Sequence, residues 1–175
     1  MLNNFDMGSN IETDRIILRP WRVDDAEALY RYASDKRVSE LALWLRHTSV
    51  EMSRPVITDY FMNAPYTYAI VLKDSNEPIG SIGLVPQGGE HYNHNTSERE
   101  VGFWIGYPHW GKGLTTEALN ALIDFARETL QLQSLLITAD ARNIASHRVA
   151  EKCQFKHIED YIYDNSPGKA FRLSL

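Results

Sequence analysis

Residues 100–118, EVGFWIGYPHWGKGLTTEA, decide the fold of this sequence. Residues 100–105 are rich in aromatic and β-branched side chains, which is typical of a strand. Residues 106–113 carry the proline and glycines of a turn. An amphipathic helix follows at once, with an apolar face made of Ala118, Leu119, Leu122, Phe125, Ala126 and Leu130. The stretch therefore predicts a strand, a glycine-bearing turn and a helix in direct succession.

Such a junction favours anion binding, because unpaired backbone N–H groups converge at a helix N-terminus and the helix dipole adds positive charge. Gly111 and Gly113 would let a diphosphate approach the backbone, and Lys112 would add a point charge. The spacing fits neither a Walker A loop nor the three-glycine dinucleotide fingerprint. By themselves the two glycines leave a plain turn open as the alternative.

The flanking sequence predicts a mixed α/β fold. Further strands are predicted at residues 14–21, 66–72, 79–85, 135–138, 155–163 and 169–175. Asp24, with Glu27 completing a capping box, predicts a helix whose apolar face holds Ala26, Leu29, Tyr30 and Ala33. Residues 41–64 predict two short helices or one broken at Pro55, and residues 146–152 a short helix. Polar loops are predicted at residues 87–97 and 165–168.

Composition bounds the function. A chain of 175 residues predicts one domain over residues 1–175. A net charge of −5 argues against nucleic-acid binding and suits a cationic small molecule or a basic peptide. The sequence contains no apolar run of membrane-spanning length and no secretory pattern at its start, so we expect no membrane partner and a cytoplasmic location.

Cysteine and histidine content gives little support to a metal site. Cys153 is the single cysteine, which excludes an intramolecular disulfide and favours a small buried hydrophobic side chain. His91 and His94 suggest a metal, but no third ligand accompanies them, so a polar loop is the favoured interpretation.

Several segments resemble one family. Residues 100–106 and 110–118 resemble the pyrophosphate segment of the Gcn5-related acetyltransferases (GNAT), most closely the RimJ/RimL branch. Residues 143–155 resemble the second signature of that branch, and residues 15–20 its first strand. Two positions depart from the pattern: Thr115 replaces a smaller residue, and Gln154 replaces a glycine. The second departure predicts a different helix end near Cys153, since glycine there often takes positive φ.

The resemblance implies a GNAT fold, with a mixed, largely antiparallel sheet and a splayed parallel strand pair flanked by helices. It also implies acetyl-CoA as cosubstrate, with no metal. The strand at Phe103, Trp104 and Ile105 would hold the pantetheine arm, and Asn143 and Ser146 would lie near the thioester. The residues implied for the diphosphate are Trp110, Gly111, Lys112, Gly113, Leu114 and Thr115.

Acetyl transfer to an amine requires a proton acceptor, donors for the carbonyl oxygen and a proton for the departing thiolate. Glu100 shares a strand face with Gly102 and Trp104, so it is the candidate acceptor, with Glu98 as the alternative. Backbone N–H groups of residues 103–105 are candidate donors to the oxygen. A third possibility for Glu100 is a solvated charge at a strand end.

Three hydroxyl groups are candidates for protonating the thiolate: Ser146, by the resemblance, and Tyr161 or Tyr163 on the last strands. Ser146 also suits a helix N-cap, and the tyrosines also suit packing. By the resemblance Trp44 lies where the acceptor docks, with core packing as its alternative.

The resemblance implies a primary amine as acceptor, in particular a protein N-terminal α-amine of the ribosomal-protein type. A small amine such as a polyamine, an amino acid or an aminoglycoside is the alternative, and a CoA-binding module without catalysis is a third. The sequence leaves the oligomeric state open, a homodimer included.

Overall fold

An eight-stranded mixed sheet forms the centre of the structure, a computed structural model that describes residues 9–92 and 97–175. The strands are β1 (Ile11–Glu12), β2 (Ile16–Pro20), β3 (Thr67–Leu72), β4 (Pro78–Leu84), β5 (Glu98–Ile105), β6 (Ser134–Asp140), β7 (Lys156–Tyr163) and β8 (Ser166–Ser174). They are ordered β1-β2-β3-β4-β5-β6-β8-β7. Among these strands β5 and β6 are the one parallel pair, which confirms the predicted mixed, largely antiparallel sheet.

Helices cover both faces of this sheet. They are α1 (Ala26–Ala33), α2 (Lys36–Ala42), α3 (Val50–Pro55), α4 (Leu114–Glu128) and α5 (Ile144–Lys152). A π-helical turn at Val56–Tyr60 and a 3₁₀ turn at Phe61–Asn63 continue α3. Helical backbone therefore continues through Pro55, where the hydrogen bonding changes from α to π, and the break predicted at this residue does not occur. Within the described ranges, no helix has both the length and the apolar character needed to cross a bilayer.

Alternate residues of the strands build two cores. Tyr68 and Ile70 of β3 pack in the cluster that contains Leu119 and Leu122 of α4. The intervening residues of β3, Ala69 and Val71, pack in a second cluster with α1 and the segment that follows α3. Because successive strand side chains point to opposite faces, α4 covers one face of the sheet and α1 the other.

The parallel strands β5 and β6 separate along their length. They pair from Glu98 opposite Ser134 to Val101 opposite Ile137. Beyond that point β5 continues to pair with β4 as far as Ile105, whereas β6 pairs with β8. The gap that opens between the two strands confirms the predicted splay.

The start of α1 differs from the predicted capping box, so the roles given to Asp24 and Glu27 were wrong. A 3₁₀ turn, Val23–Asp25, precedes the helix and moves the N-cap to Asp25. The Asp25 carboxylate accepts the backbone N–H of Arg22 at 2.9 Å and forms a buried bidentate ion pair with Arg19 at 2.7 and 2.8 Å. Asp24 stays exposed.

The final hairpin is tighter than predicted. Its turn is Asp164 and Asn165, with φ of 47° and 61°. Two left-handed residues match the twist of the flanking strands in a two-residue hairpin. Residues 166–168, predicted as loop, therefore belong to β8.

The end of α5 also corrects an expectation, because Gln154 adopts the conformation of the family glycine. Its φ is 68°. Gln154 N–H donates to Glu151 O at 3.0 Å and Phe155 N–H to Ala150 O at 3.0 Å, the two bonds of a Schellman motif. The helix therefore ends as one with a glycine at this position does, although the left-handed backbone is unfavourable for a residue with a side chain such as Gln154.

We expect Gln154→Gly to stabilise the fold. Left-handed backbone costs a non-glycine residue roughly 1–2 kcal/mol, and the greater chain entropy of glycine offsets roughly 0.5–1 kcal/mol of that gain. A net gain of about 0.5–1 kcal/mol should raise Tm by about 1–4 °C in a chain of this size. Gln154→Ala is the control, since it removes the same side chain without relieving the backbone. Equal Tm values for the two variants would contradict the argument.

Candidate active site

A cleft of about 1100 Å³ opens where β5 and β6 separate. Its walls come from residues 41–61, the turn before α4, the first turns of α5 and the β7–β8 hairpin. Predicted site residues that line it are Trp44, Glu100, Phe103, Trp104, Ile105, Trp110, Gly111, Gly113, Leu114, Thr115, Asn143, Ser146 and Tyr161. The fold thus collects most of the predicted site in one place.

The turn before α4 has the geometry of an anion site. Gly111 and Gly113 have φ of 70° and 76°, which glycine adopts without strain. A Cβ on Gly111 would meet no atom within 4 Å, so this backbone is open. The first α4 bond runs from Glu117 N to Gly113 O at 3.0 Å, and the N–H groups of residues 114–116 precede it.

Arg15 supports this turn, a role that the sequence reasoning missed. Its Nη1 donates to Lys112 O at 2.9 Å, and its guanidinium pairs with Glu117 at 2.7 Å. A Cβ on Gly113 would lie 3.6 Å from Arg15 Nη2. The guanidinium therefore braces the turn, with its charge balanced by Glu117, and both Arg15 and the exposed Lys112 lie outside the cleft lining.

Backbone groups of β5 face the gap at every second residue. Val85 N donates to Glu100 O and Gly106 N donates to Ile79 O, both at 2.8 Å, so even-numbered residues bond β4. Odd-numbered residues, Phe103 and Ile105, therefore face away from β4. Trp110 Nε1 donates to Ile105 O at 2.8 Å. The backbone N–H and C=O of Phe103 and the N–H of Ile105 can therefore bond a ligand. The backbone of Trp104 bonds β4, so this residue contributes its ring to the cleft.

Glu100 is buried at the point where the gap begins, with 2% of the residue exposed. Its Oε1 accepts from Thr138 Oγ1 at 2.6 Å and from His91 Nδ1 at 2.7 Å. Its Oε2 accepts the backbone N–H of His91 at 2.8 Å. The alternative of a solvated strand-end charge is therefore wrong.

His91 is the partner that the sequence reasoning left in a polar loop. Its side chain is 43% exposed and lines the cleft, with its ring edge-on to Tyr163 at 4.9 Å. The hydrogen bond to Glu100 raises the pKa of His91, and burial offsets part of that rise. His94 lies outside the described residues.

Glu98, the alternative proton acceptor, lies elsewhere in the structure. It is 1% exposed, accepts from Ser134 Oγ at 2.7 Å and pairs with Arg172 at 2.7 and 3.1 Å. It lies outside the residues that line the cleft. Its carboxylate ties β5 to β6 and β8, so the structure does not bring Glu98 to the site.

Tyr161 lines the cleft, and a cross-strand glycine makes room for it. A Cβ on Gly168 would lie 2.7 Å from Cζ of Tyr161, so any larger residue would displace the ring. Burial raises the pKa of Tyr161, and a hydrogen bond with Thr138 offsets part of that rise. Tyr163 also lines the cleft but is half-exposed.

Asn143, not Ser146, caps α5. Asn143 Oδ1 accepts the N–H of Ser146 at 3.2 Å, and its Nδ2 approaches Leu41 O at 3.5 Å. The N-cap interpretation of Ser146 is therefore wrong, because helix α5 begins at Ile144. Ser146 lies in the first turn of α5 and lines the cleft.

Trp44 stands beside both core and cleft. Its ring lies edge-on to Trp104 with centroids 5.9 Å apart and packs against the α1 cluster. The cleft face of this pair is aromatic and is continued by Tyr60 and Phe61.

Two other expectations concern cysteine and metals. Cys153 is buried, and burial raises the pKa of its thiol to about 11, as expected of a small hydrophobic side chain. Within residues 9–92 and 97–175, no group of three or more histidine, cysteine, aspartate or glutamate side chains is placed to hold a metal.

Comparison with known proteins agrees with this geometry. The family model of the acetyltransferase (GNAT) domain matches residues 15–156. The chain belongs to the GNAT acetyltransferase family. A relative from Bacillus licheniformis, the uncharacterized N-acetyltransferase p20, is 27% identical over 148 residues, which is 82% of this chain and 80% of the relative. The chain is thus an acyl-CoA-dependent acetyltransferase.

Solved structures give the same fold. A putative ribosomal-protein-serine acetyltransferase from Vibrio cholerae superposes with a TM-score of 0.79 at 25% identity, over 95% of this chain and 98% of that one. AAC(6′)-Ib, in complex with ribostamycin and coenzyme A, superposes with a TM-score of 0.74 at 16% identity, over 92% of this chain and 94% of that one. The fold therefore accommodates CoA in a known case.

Proposed function

We propose that this GNAT enzyme moves the acetyl group of acetyl-CoA to a protein N-terminal α-amine by direct attack of the amine. The observation that carries the proposal is the coincidence of three features in one cleft: the open glycine turn, the unpaired β5 backbone and a buried carboxylate at the start of the gap. Acetyl-CoA, when bound, supplies the acetyl group as a thioester.

The residues present fit the cofactor. Gly111, Gly113 and the first N–H groups of α4 would hold the diphosphate, with Arg15 fixing the turn through its bond to Lys112 O. Phe103 and Ile105 would bond the pantetheine arm through backbone groups that β4 does not use. Preorganised N–H donors of this kind also stabilise charge on a reacting carbonyl oxygen.

Thermal shift tests this assignment. We expect acetyl-CoA or CoA to raise Tm. At a ligand concentration of a hundred times Kd, the free energy of unfolding rises by about 2.7 kcal/mol. ATP and NAD should have little effect because neither carries a pantetheine arm for the β5 backbone. Equal shifts with ATP would contradict the assignment. Desulfo-CoA, which keeps the pantetheine arm but lacks the thiol, measures the contribution of the arm alone.

Acetyl transfer needs one group that takes a proton from the amine and another that gives a proton to the thiolate. The Glu100 carboxylate and the groups bonded to it would take the proton from the amine. Tyr161 would return one to the thiolate, since it lines the cleft and a tyrosine hydroxyl is protonated at neutral pH. Ser146 is the second candidate for that role because it also lines the cleft.

The charge balance of the cleft supports a peptide acceptor over a polycation. Glu100 and Asp140 are the carboxylates among the described lining residues. Glu100 is engaged by His91 and Thr138, and Asp140 pairs with Arg142 at 2.8 and 2.9 Å. An aminoglycoside or polyamine needs several uncompensated carboxylates, whereas an N-terminal residue needs one amine site and an apolar surface.

Thiol release from acetyl-CoA across a panel of acceptors tests the acceptor class. We expect turnover with peptides that carry a free α-amine and none with the same peptides blocked at the N-terminus, even when they contain lysine. Spermidine, free amino acids and an aminoglycoside complete the panel. Preference for any of these would move the acceptor to the small-amine class, and CoA binding without turnover on the whole panel would indicate a binding module.

A further inference from the structure

The carboxylate of Glu100 is poorly placed to take a proton itself. It accepts from the Thr138 hydroxyl, the His91 ring and the His91 backbone, at 2.6, 2.7 and 2.8 Å. The carboxylate could take a proton only if one of these hydrogen bonds gave way. These donors occupy both oxygens of a side chain that is 2% exposed.

His91 has the complementary properties. An ionised carboxylate accepts only, so Nδ1 of the imidazole carries the hydrogen that Glu100 receives. The second nitrogen, Nε2, is then the acceptor of the neutral ring, on a side chain that lines the cleft and is 43% exposed. Glu100 fixes both the tautomer and the orientation of the ring, as an orienting carboxylate does in catalytic triads.

We propose that Nε2 of His91 is the proton acceptor of the transfer and that Glu100 is its positioning residue, an inference that rests on the proposed function. The amine nitrogen forms its bond to the acetyl carbon and loses its proton to Nε2, while the carbon–sulfur bond breaks and the thiolate receives a proton from Tyr161. The hydrogen on Nδ1 stays on the ring, donated to Glu100, and the imidazolium and tyrosinate that remain return to their neutral forms by proton exchange with solvent before the next turnover.

The surroundings of His91 set the direction of the pH dependence. Glu100 from β5 and Glu90 from the same loop favour the imidazolium, and burial opposes it, so the pKa lies above the ordinary value. Tyr161 and Tyr163 on β7 line the same cleft, and the ring of Tyr163 contacts that of His91. Because the neutral ring is the base, activity rises with pH through this raised pKa.

The deciding variant is His91→Asn. The asparagine amide reproduces the position of Nδ1–H, so the bond to Glu100 is kept, while Nε2 is lost. We expect kcat/KM to fall about 10²-fold at neutral pH, the low end for a lost general base, with the acid limb of the pH profile abolished and the acetyl-CoA Kd unchanged. His157→Asn, an exposed histidine paired with Asp160 on β7, is the matched control. Activity of His91→Asn within about twofold of wild type, with the acid limb retained, would overturn the proposal.

A second measurement needs no turnover. Nitrogen NMR of the imidazoles in the wild-type protein should show His91 protonated at Nδ1 in its neutral form, with a pKa above that of an ordinary histidine and lowered by Glu100→Gln. Protonation at Nε2 instead would overturn the inference even if the enzyme is active. Wild-type inactivity on every acceptor, with the NMR result as expected, would instead count against the proposed function.

Discussion

Glu100→Gln is expected to lower kcat on the true acceptor by about 10²-fold, no more than loss of the His91 base itself, while the acetyl-CoA Kd stays near that of the wild type. Glutamine keeps the shape and accepts through one oxygen, but it neither carries the charge that balances an imidazolium nor holds His91 in one tautomer. Single-turnover kinetics with saturating acetyl-CoA isolates the chemical step.

Two comparisons sharpen this result. Glu98→Gln makes the same change two residues earlier on β5, where the carboxylate pairs with Arg172 outside the cleft. We expect it to lower thermal stability and leave kcat near normal. In Glu100→Gln the acid limb should move to lower pH, since the pKa of His91 loses the effect that raises it. Normal kcat in Glu100→Gln with a loss in Glu98→Gln would reverse the two roles.

The fold follows from local signals in the sequence to a large extent. The strand, glycine turn and amphipathic helix of residues 100–128 are set by side-chain periodicity and by the two glycines, and all three appear as predicted. The splay of β5 and β6 came from family resemblance, because pairing between strands depends on partners distant in sequence. Element ends were less accurate, since the N-cap position of α1 falls at Asp25, whose carboxylate is held by Arg19 of β2 in a contact that the local pattern does not contain.

The sequence predicted most of the residues that line the candidate cleft but not the partners of their side chains. Period-two alternation places Glu98 and Glu100 on the same strand face, so the sequence could not separate them. Arg172 of β8 engages the first and His91 of the preceding loop engages the second. Arg15 likewise reaches Glu117 across 102 residues of sequence. Residues 15–20 resemble the first strand of the family, and Glu117 lies in the first turn of α4. The opposite charges of Arg15 and Glu117 are the signal in the sequence that could predict this ion pair.

Gly113→Asp is expected to weaken acetyl-CoA binding by about 10²- to 10³-fold. A carboxylate at this position would add negative charge between the Arg15 guanidinium and the N–H groups at the start of α4 that would hold a diphosphate. Two like charges about 4 Å apart repel by about 4 kcal/mol at an effective dielectric constant of 20, and solvent exposure of the turn reduces this toward about 3 kcal/mol, or about 10²-fold. Titration calorimetry with acetyl-CoA measures the change directly.

Gly113→Asp should change the stability of the fold much less than it changes the affinity for acetyl-CoA. This difference distinguishes a binding defect from unfolding. Gly113 is the N-cap of α4, where aspartate is a favourable residue, but its φ of 76° strains any side chain. The favourable cap and the strained backbone have opposite effects on stability. Gly113→Asn is the control, because asparagine has nearly the same volume, is strained by the same φ and carries no charge. We therefore expect Gly113→Asn to retain most of the acetyl-CoA affinity. If both variants lose it equally, the backbone path of the turn, and not repulsion from an added charge, controls the site; if neither does, the diphosphate binds elsewhere.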